Sequence, residues 1–459
     1  MRVRNKMYTK IRHAITVAYN SSLRNLMPSS FTANNLIIAS TTMLSRVLGL
    51  LRDILITHWA GIGHITDAYY IASKIPSFFR KVISEGAMNN ILIPVLSQMP
   101  EEKQSKFLQQ FCYKILFTMT FISIIVIIFS KNIISCIAPG LTYETKEWAS
   151  KFMKIIFPAI TLISINSSWS SYLNYKKKFA ASSISSSFIN IGAMSLILIG
   201  MKFNKLIFLG FGILFGVSLQ TIWIYFNIPK DVRKIKNNHQ FSLDNKILMK
   251  KFSHILLSSS SMQITTLISI FVSSFLAPKI ITQMSNAEKM SQVPISLIGS
   301  SIGTTLISYL SAHIKSSEYK KARKILKQSI IFSLIISTLV IVFVTNFSYQ
   351  ISYSIYSSNK NNLDSIIQIS QYLKLYILMV PAYSLVKIFA AVFFSLQMNK
   401  VPMYTSIVQC FSYLALLMFF HSSGSQIILC SLISAYVHIF FLLITFIKKK
   451  IYSIHFSGN

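Results

Sequence analysis

Between residues 34 and 447 the chain reads as apolar runs separated by short polar breaks. A helix that crosses a bilayer needs about 20 mostly apolar residues. About twelve runs meet that length, over 34–58, 66–97, 107–130, 152–174, 180–201, 206–228, 253–277, 285–312, 328–346, 366–396, 402–421 and 425–447. The second, eighth and tenth are long enough to tilt, bend or project beyond the hydrocarbon. Pro76, Pro294 and Pro381 are their natural bend points. The pattern predicts an all-α polytopic membrane protein.

The breaks carry the charge, and Lys and Arg in short loops orient a membrane protein. With the N-terminus placed in the cytoplasm, that side collects about 28 basic residues, Lys176-Lys177-Lys178 and Lys448-Lys449-Lys450 among them. The opposite loops collect about 8. Both ends are therefore expected inside, with an even number of helices. The longest polar break, about 229–247, divides the helices six and six. The organisation read from this is a basic N-terminal extension (1–28), an N-terminal lobe (29–229), a cytoplasmic linker (230–247), a C-terminal lobe (248–450) and a cytoplasmic tail (451–459). A weak echo supports two related halves. Leu92-Ile93-Pro94-Val95-Leu96-Ser97 resembles Leu306-Ile307-Ser308-Tyr309-Leu310-Ser311, and each closes the second helix of its half. Six helices per half make the repeat parallel, about an axis along the membrane normal. The extension has two readings, an organelle transit peptide or an upstream start codon with Met27 as the core start, and the second is preferred.

Composition narrows the function. Charged residues make up 12% of the chain, against about 25% in soluble domains, which excludes an ordinary cytosolic enzyme. The net charge of +33 sits in clusters between apolar runs, so it reports membrane topology rather than nucleic-acid binding. Cys112, Cys136, Cys410 and Cys430 form no C-x-x-C pair, and the nine histidines have no metal-ligand spacing. Gly61-Ile62-Gly63 lacks the third glycine of a dinucleotide loop, and neither a Walker lysine nor G-x-S-x-G is present. No cofactor, metal site or catalytic group is expected.

The informative residues are charges inside the apolar runs. The first helix carries Arg46, Arg52 and Asp53; the second carries Asp67, Lys74, Arg80, Lys81 and Glu85. Glu288 and Lys289 lie in the eighth and Lys387 in the tenth. Three such cations facing lipid at the midplane would cost about 8–10 kcal/mol, comparable to the whole stability of a domain, about 5–15 kcal/mol. Arg46 and Asp53, seven apart, share a helix face, as do Asp67, Lys74, Lys81 and Glu85. Glu288 and Gln292 can bond as an i,i+4 pair. One reading is interfacial snorkelling with structural ion pairs. The other is a cationic cavity between the halves that holds an anionic headgroup, with arginine forks gripping phosphate oxygens. Pro76 and Gly86 in the second helix, and Pro294 and Gly299 in the eighth, are candidate hinges.

Ser45-Arg46-Val47-Leu48-Gly49, Arg52-Asp53, Thr66-Asp67-Ala68, Lys74 with Pro76, Arg80 and Ser84-Glu85-Gly86-Ala87 together resemble, in order and spacing, the signature of the MurJ (MviN) lipid II flippases of bacteria. Weaker similarity runs on to about residue 450. The resemblance implies a MATE-like fold of the MOP exporter superfamily, two six-helix lobes around a central cavity. It implies a non-enzymatic transporter of the bacterial inner membrane. Its substrate would be lipid II, the undecaprenyl-diphosphate-linked peptidoglycan precursor, moved by alternating access. Family cavity arginines match Arg46, Arg52 and Arg80, a family acid matches Asp67, and a family lysine matches Lys387. Lys289 stands where the family has arginine and Gln292 where it has an acid. Asp53, Asp67, Glu85 and Glu288 are expected to hold the basic groups when the site is empty. Typical members have fourteen helices, the last two helping to form a lipid-tail groove; this chain is expected to lack them. The alternatives are an exporter of another lipid-linked oligosaccharide or small molecule, and a degenerate, non-transporting remnant. Expected partners are lipid II and membrane lipids, without nucleic acid; cell-wall synthesis proteins as partners are not readable from sequence.

Overall fold

The computed structural model describes residues 29–80, 88–97, 99–233, 263–316, 318–396, 398 and 400–449. The extension (1–28), Lys81, Glu85 and Gly86, residues 234–247 of the expected linker and the tail (451–459) lie outside the described residues. The N-terminal half is built from α1 (Ser29–Ala60), α2 (His64–Arg80), α3 (Met88–Ser97), α4 (Glu101–Ile128), α5 (Ser130–Ile137), α6 (Tyr143–Ile156), α7 (Ala159–Tyr175), α8 (Phe179–Phe203), α9 (Phe208–Asn227) and the single turn α10 (Lys230–Arg233). The C-terminal half comprises α11 (Gln263–Ser273), then α12 (Ile280–Ile295), a π-helical turn (Ser296–Ser300), α13 (Ser301–Lys315), α14 (Tyr319–Tyr356), α15 (Leu363–Ile377), α16 (Val380–Ser395), α17 (Lys400–Leu417) and α18 (Gly424–Lys448).

Helices fall on all twelve expected stretches. Among the described residues, six of them (α4, α8, α9, α14, the continuous α15–α16 and α18) are long and apolar enough to cross a bilayer by themselves, and α6–α7, bent by 42°, make a seventh. The other five stretches fall on α1, α2–α3, α11, α12–α13 and α17. The breaks have local causes. Pro158 stands between α6 and α7, where its missing N–H cannot continue the ladder. Thr142, Asn362 and Ser423 begin α6, α15 and α18, each accepting a hydrogen bond from a backbone N–H of the first turn.

The pattern of burial is that of a protein dissolved in hydrocarbon. On α14 the buried positions include Ser333, Ser337, Ser348 and Ser352, while Phe332, Ile335, Leu339, Val342 and Phe343 face outward. Small polar residues turn inward because lipid tails are as apolar as leucine, so close packing rather than burial of apolar surface drives association. The α8–α9 contact illustrates the consequence. A Cβ on Gly192 would come 2.6 Å from the Gly216 Cα, and one on Gly216 would come 2.2 Å from the Ile189 carbonyl oxygen.

Within the N-terminal half, α8 packs on α1 and α9, and α2 packs on α6; within the C-terminal half, α14 packs on α15, α13 on α16 and α17 on α18. The halves join through α12 against α1 and α2, and α14 against α1. The joint contains a buried polar seam at the end where α1 turns into α2. Asp67 accepts hydrogen bonds from the backbone N–H groups of Lys279 and Thr282, both at 2.8 Å, and from the Thr282 hydroxyl at 2.5 Å. Asn286 accepts from the Tyr70 hydroxyl at 2.8 Å and donates to Thr57 at 3.1 Å. Asn361 accepts from the Ile62 N–H at 2.9 Å, and the Lys360 ammonium donates to the Trp59 carbonyl at 2.5 Å.

A cationic cavity between the lobes

Below that seam lies a cavity of about 760 Å³, walled by α1, α2 and α8 on one side and by α11 and α12 on the other. Arg46 and Arg52 on α1, Lys74 and Arg80 on α2, and Lys289 on α12 line it. Asp53 and Glu288 are the carboxylates in the same wall. Among the described residues, five basic groups against two acidic ones leave an excess of three positive charges.

Two hydrogen-bonded chains cross from lobe to lobe. In the first, Asp53 is 1% exposed. Its Oδ1 accepts from Arg52 Nε at 3.0 Å and Nη2 at 2.9 Å, while its Oδ2 pairs with the ammonium of Lys289 from the other lobe. The third side of the Arg52 fork donates to Asn190 Oδ1 at 3.1 Å, and Asn190 itself donates to the Ser45 carbonyl at 2.9 Å. Lys289 also stands 4.8 Å from the centre of the Tyr70 ring, whose face attracts a cation. In the second chain, Lys74 pairs with Glu288 at 3.2 Å. Gln292 donates to Glu288 at 2.9 Å and accepts from Arg46 Nη1 at 3.3 Å. Arg46 thus meets a neutral amide rather than a carboxylate, and its buried Nε has no partner among the described residues.

Of the residues singled out in the sequence, Arg46, Arg52, Arg80, Lys289, Asp53 and Glu288 line this one cavity. The expected Glu288–Gln292 bond is present. The expected sharing of Arg46 with Asp53 is not, because Asp53 is filled by its neighbour Arg52 and by Lys289. Asp67 is not among the cavity-lining residues. At 2% exposure it is occupied by the N-terminus of α12, where unpaired N–H groups and the helix dipole stabilise a carboxylate as a cation would. Lys387 is also away from the cavity wall. Its stem lies against the π turn and α13, 3.0 Å from where a Gly299 Cβ would stand. Pro76 lies inside α2 and lines the cavity. Pro294 lies inside α12, directly ahead of the π turn that contains Gly299; such turns mark local interruptions of the helical ladder. Sequence reasoning missed Asn190, Tyr70 and the Lys74–Glu288 pair. A lone Asn in the apolar stretch of α8 was the one available signal.

A family model described as "Lipid II flippase MurJ" matches residues 56–457. The "Probable lipid II flippase MurJ" of Buchnera aphidicola subsp. Schizaphis graminum is 30% identical over 383 residues, 81% of this chain and 74% of that protein. That of Aquifex aeolicus is 30% identical over 390 residues, 84% and 76% of the two chains. A solved structure described as "Lipid II flippase MurJ, inward closed conformation" superposes with a TM-score of 0.81 at 24% identity, covering 89% of this chain and 87% of that one. An inward-facing multidrug resistance MATE family transporter of the MOP superfamily superposes at 0.67 with 13% identity, covering 92% and 96%.

Proposed function

Because the chain belongs to the MurJ family of lipid II flippases, we propose that it carries lipid II across the bacterial inner membrane, with the headgroup inside the cavity and the prenyl tail in lipid. The observation that supports this most is the excess of positive charge among the described residues of the cavity wall. A diphosphate supplies opposite charge there, and Arg46 lines the cavity with an amide rather than a carboxylate as its hydrogen-bond partner. Arg52 and Lys289 are anchored by Asp53, so they add field without collapsing into the empty site.

On the topology given by the loop charges, both termini are cytoplasmic, twelve crossings form two lobes, and the Asp67–Thr282 seam closes the outer end. The cavity then loads from inside. Outward release requires the seam to part while α12 bends at Pro294 and the π turn. The seam combines these hydrogen bonds with apolar contacts of Ile281 and Ile62 across the halves, so opening it has to break both. Each charge that moves across the membrane feels about 2.3 kcal/mol per 100 mV, so transport of a dianion responds to membrane potential.

The test is replacement. Expression in bacteria depleted of their own flippase restores growth with the wild-type chain. Arg46→Ala and Arg80→Ala abolish rescue at unchanged membrane levels. Rescue by both variants, or none by correctly inserted wild type, overturns the proposal.

A further inference from the structure

Beside the cationic cavity lies a smaller annex of about 140 Å³, inside the N-terminal lobe between α7, α8 and α9. Arg80, Asn89, Asn174, Ser182 and Ser186 border both spaces, so the annex adjoins the cavity. Among the described residues its own wall is polar but uncharged, with Asn166, Ser167, Ser170, Ser171, Ser185 and Gln220.

The hydrogen bonds in that wall have a direction. Ser167 and Ser171 donate to the carbonyls of Ile163 and Ser167, at 2.8 and 2.9 Å, and Ser185 donates to Ser182 at 2.6 Å. Their protons are spent on the helices and lone pairs remain as acceptors, one on Ser185 being taken by the Gln220 amide at 3.3 Å. Asn166 donates its amide protons to Thr221 at 2.9 Å and Gln220 at 3.3 Å. Its Oδ1 has no partner, although the residue is only 2% exposed. A buried carbonyl oxygen left unpaired costs about 1–3 kcal/mol, and Asn166 is one of the residues that border the annex. An acceptor-rich wall repels a second anion, and Arg80 at the border disfavours a cation. What fits is an uncharged group carrying O–H or N–H donors. At about 140 Å³ against about 760 Å³ the annex is much smaller than the cavity, so it holds the edge of one ring rather than a whole disaccharide.

We propose that the annex is the saccharide subsite: it binds the hydroxyl- and amide-bearing edge of the sugar attached to the diphosphate held in the cavity. This rests on the lipid II reading. It assigns specificity to Asn166 and Gln220, which lie outside the cationic wall.

The experiment measures Kd for the purified full-length chain with three lipids: undecaprenyl diphosphate, the same lipid bearing the peptide-free disaccharide, and lipid II with its peptide. The variants are Asn166→Leu and, because that residue is buried, Gln220→Met, which keeps volume at a half-buried position. Both variants weaken the two glycosylated lipids about five- to tenfold, the loss of one or two neutral hydrogen bonds. Binding of undecaprenyl diphosphate changes less than about twofold, within the scatter of a distant neutral change. Because Kd does not depend on the folded fraction, partial misfolding does not mimic this split. Equal weakening of all three lipids, no change in any, or loss confined to the peptide-bearing lipid overturns the subsite. In those outcomes wild type still binds undecaprenyl diphosphate and Arg46→Ala still loses it, so the cavity reading survives alone. Wild type that binds none of the three overturns both.

Discussion

Asp53→Asn tests the electrostatics of the cavity at its most buried point. The carboxylate is 1% exposed and neutralises two cations, Arg52 through two hydrogen bonds and Lys289 through an ion pair across the lobes. Removing one partner of a buried pair costs about 3–5 kcal/mol, because a charge is left without compensation. Arg52 and Lys289 keep 17% and 23% of their side-chain surface, so cavity water relieves part of the loss and the lower end, about 3 kcal/mol, applies. The structure also fixes the sign of the coupling. With Lys289→Met already in place, one of the two stranded cations is gone, so Asp53→Asn costs less by about 1–3 kcal/mol. Denaturant unfolding of the four proteins of this cycle in one detergent measures both quantities. A single-variant loss below about 1 kcal/mol, in the range of exposed pairs, or strict additivity of the two substitutions, refutes the claim that Asp53 holds the cationic wall together.

Three further outcomes follow from particular contacts. Gly216→Val drives a Cβ into the Ile189 carbonyl, 2.2 Å away, so α8 and α9 separate and stability falls by about 3 kcal/mol or more; an unchanged thermal midpoint contradicts that packing. Asp67→Ala frees the first turn of α12 at a cost of about 2 kcal/mol, the upper end for a cap, and hydrogen exchange at the Thr282 amide speeds up; unchanged protection contradicts the seam. In the loop between α13 and α14, hydrogen bonds from Lys321 and then His313 hold the Glu318 carboxyl below its usual range. A depressed carboxylate stabilises fully above its unfolded pKa, about 4.3, and the contribution disappears as pH falls through the folded value. The stability difference between wild type and Glu318→Gln therefore shrinks on acidification; a difference that grows contradicts the pairing.

The helices were legible because the bilayer demands long apolar stretches, and the chain supplies them. The charges of α1 and α2 were legible because lipid cannot accept them. Their partners were not. Lys74 meets Glu288 across 214 positions of sequence, a distance over which no periodicity speaks. Asp53 was matched to Arg46 by helical spacing, yet the long Arg52 side chain folds back to its neighbour and leaves Arg46 to Gln292. Asp67 was read as a cavity acid because a carboxylate in an apolar helix needs positive charge. It found that charge in the backbone N–H groups of α12, which side-chain identity does not reveal. The π turn was equally invisible; Pro294 marked its neighbourhood but not its geometry.

The central claim is that lipid-linked diphosphate enters the cavity between the lobes. Photo-crosslinking amino acids at Gln263 and Ser73 in the cavity wall, and at Phe117 and Phe343 on the outward faces of α4 and α14, test it in living cells. The account predicts capture of the radiolabelled precursor from the two cavity positions and only background from the two outward ones. Capture from Phe117 and Phe343 alone would contradict it.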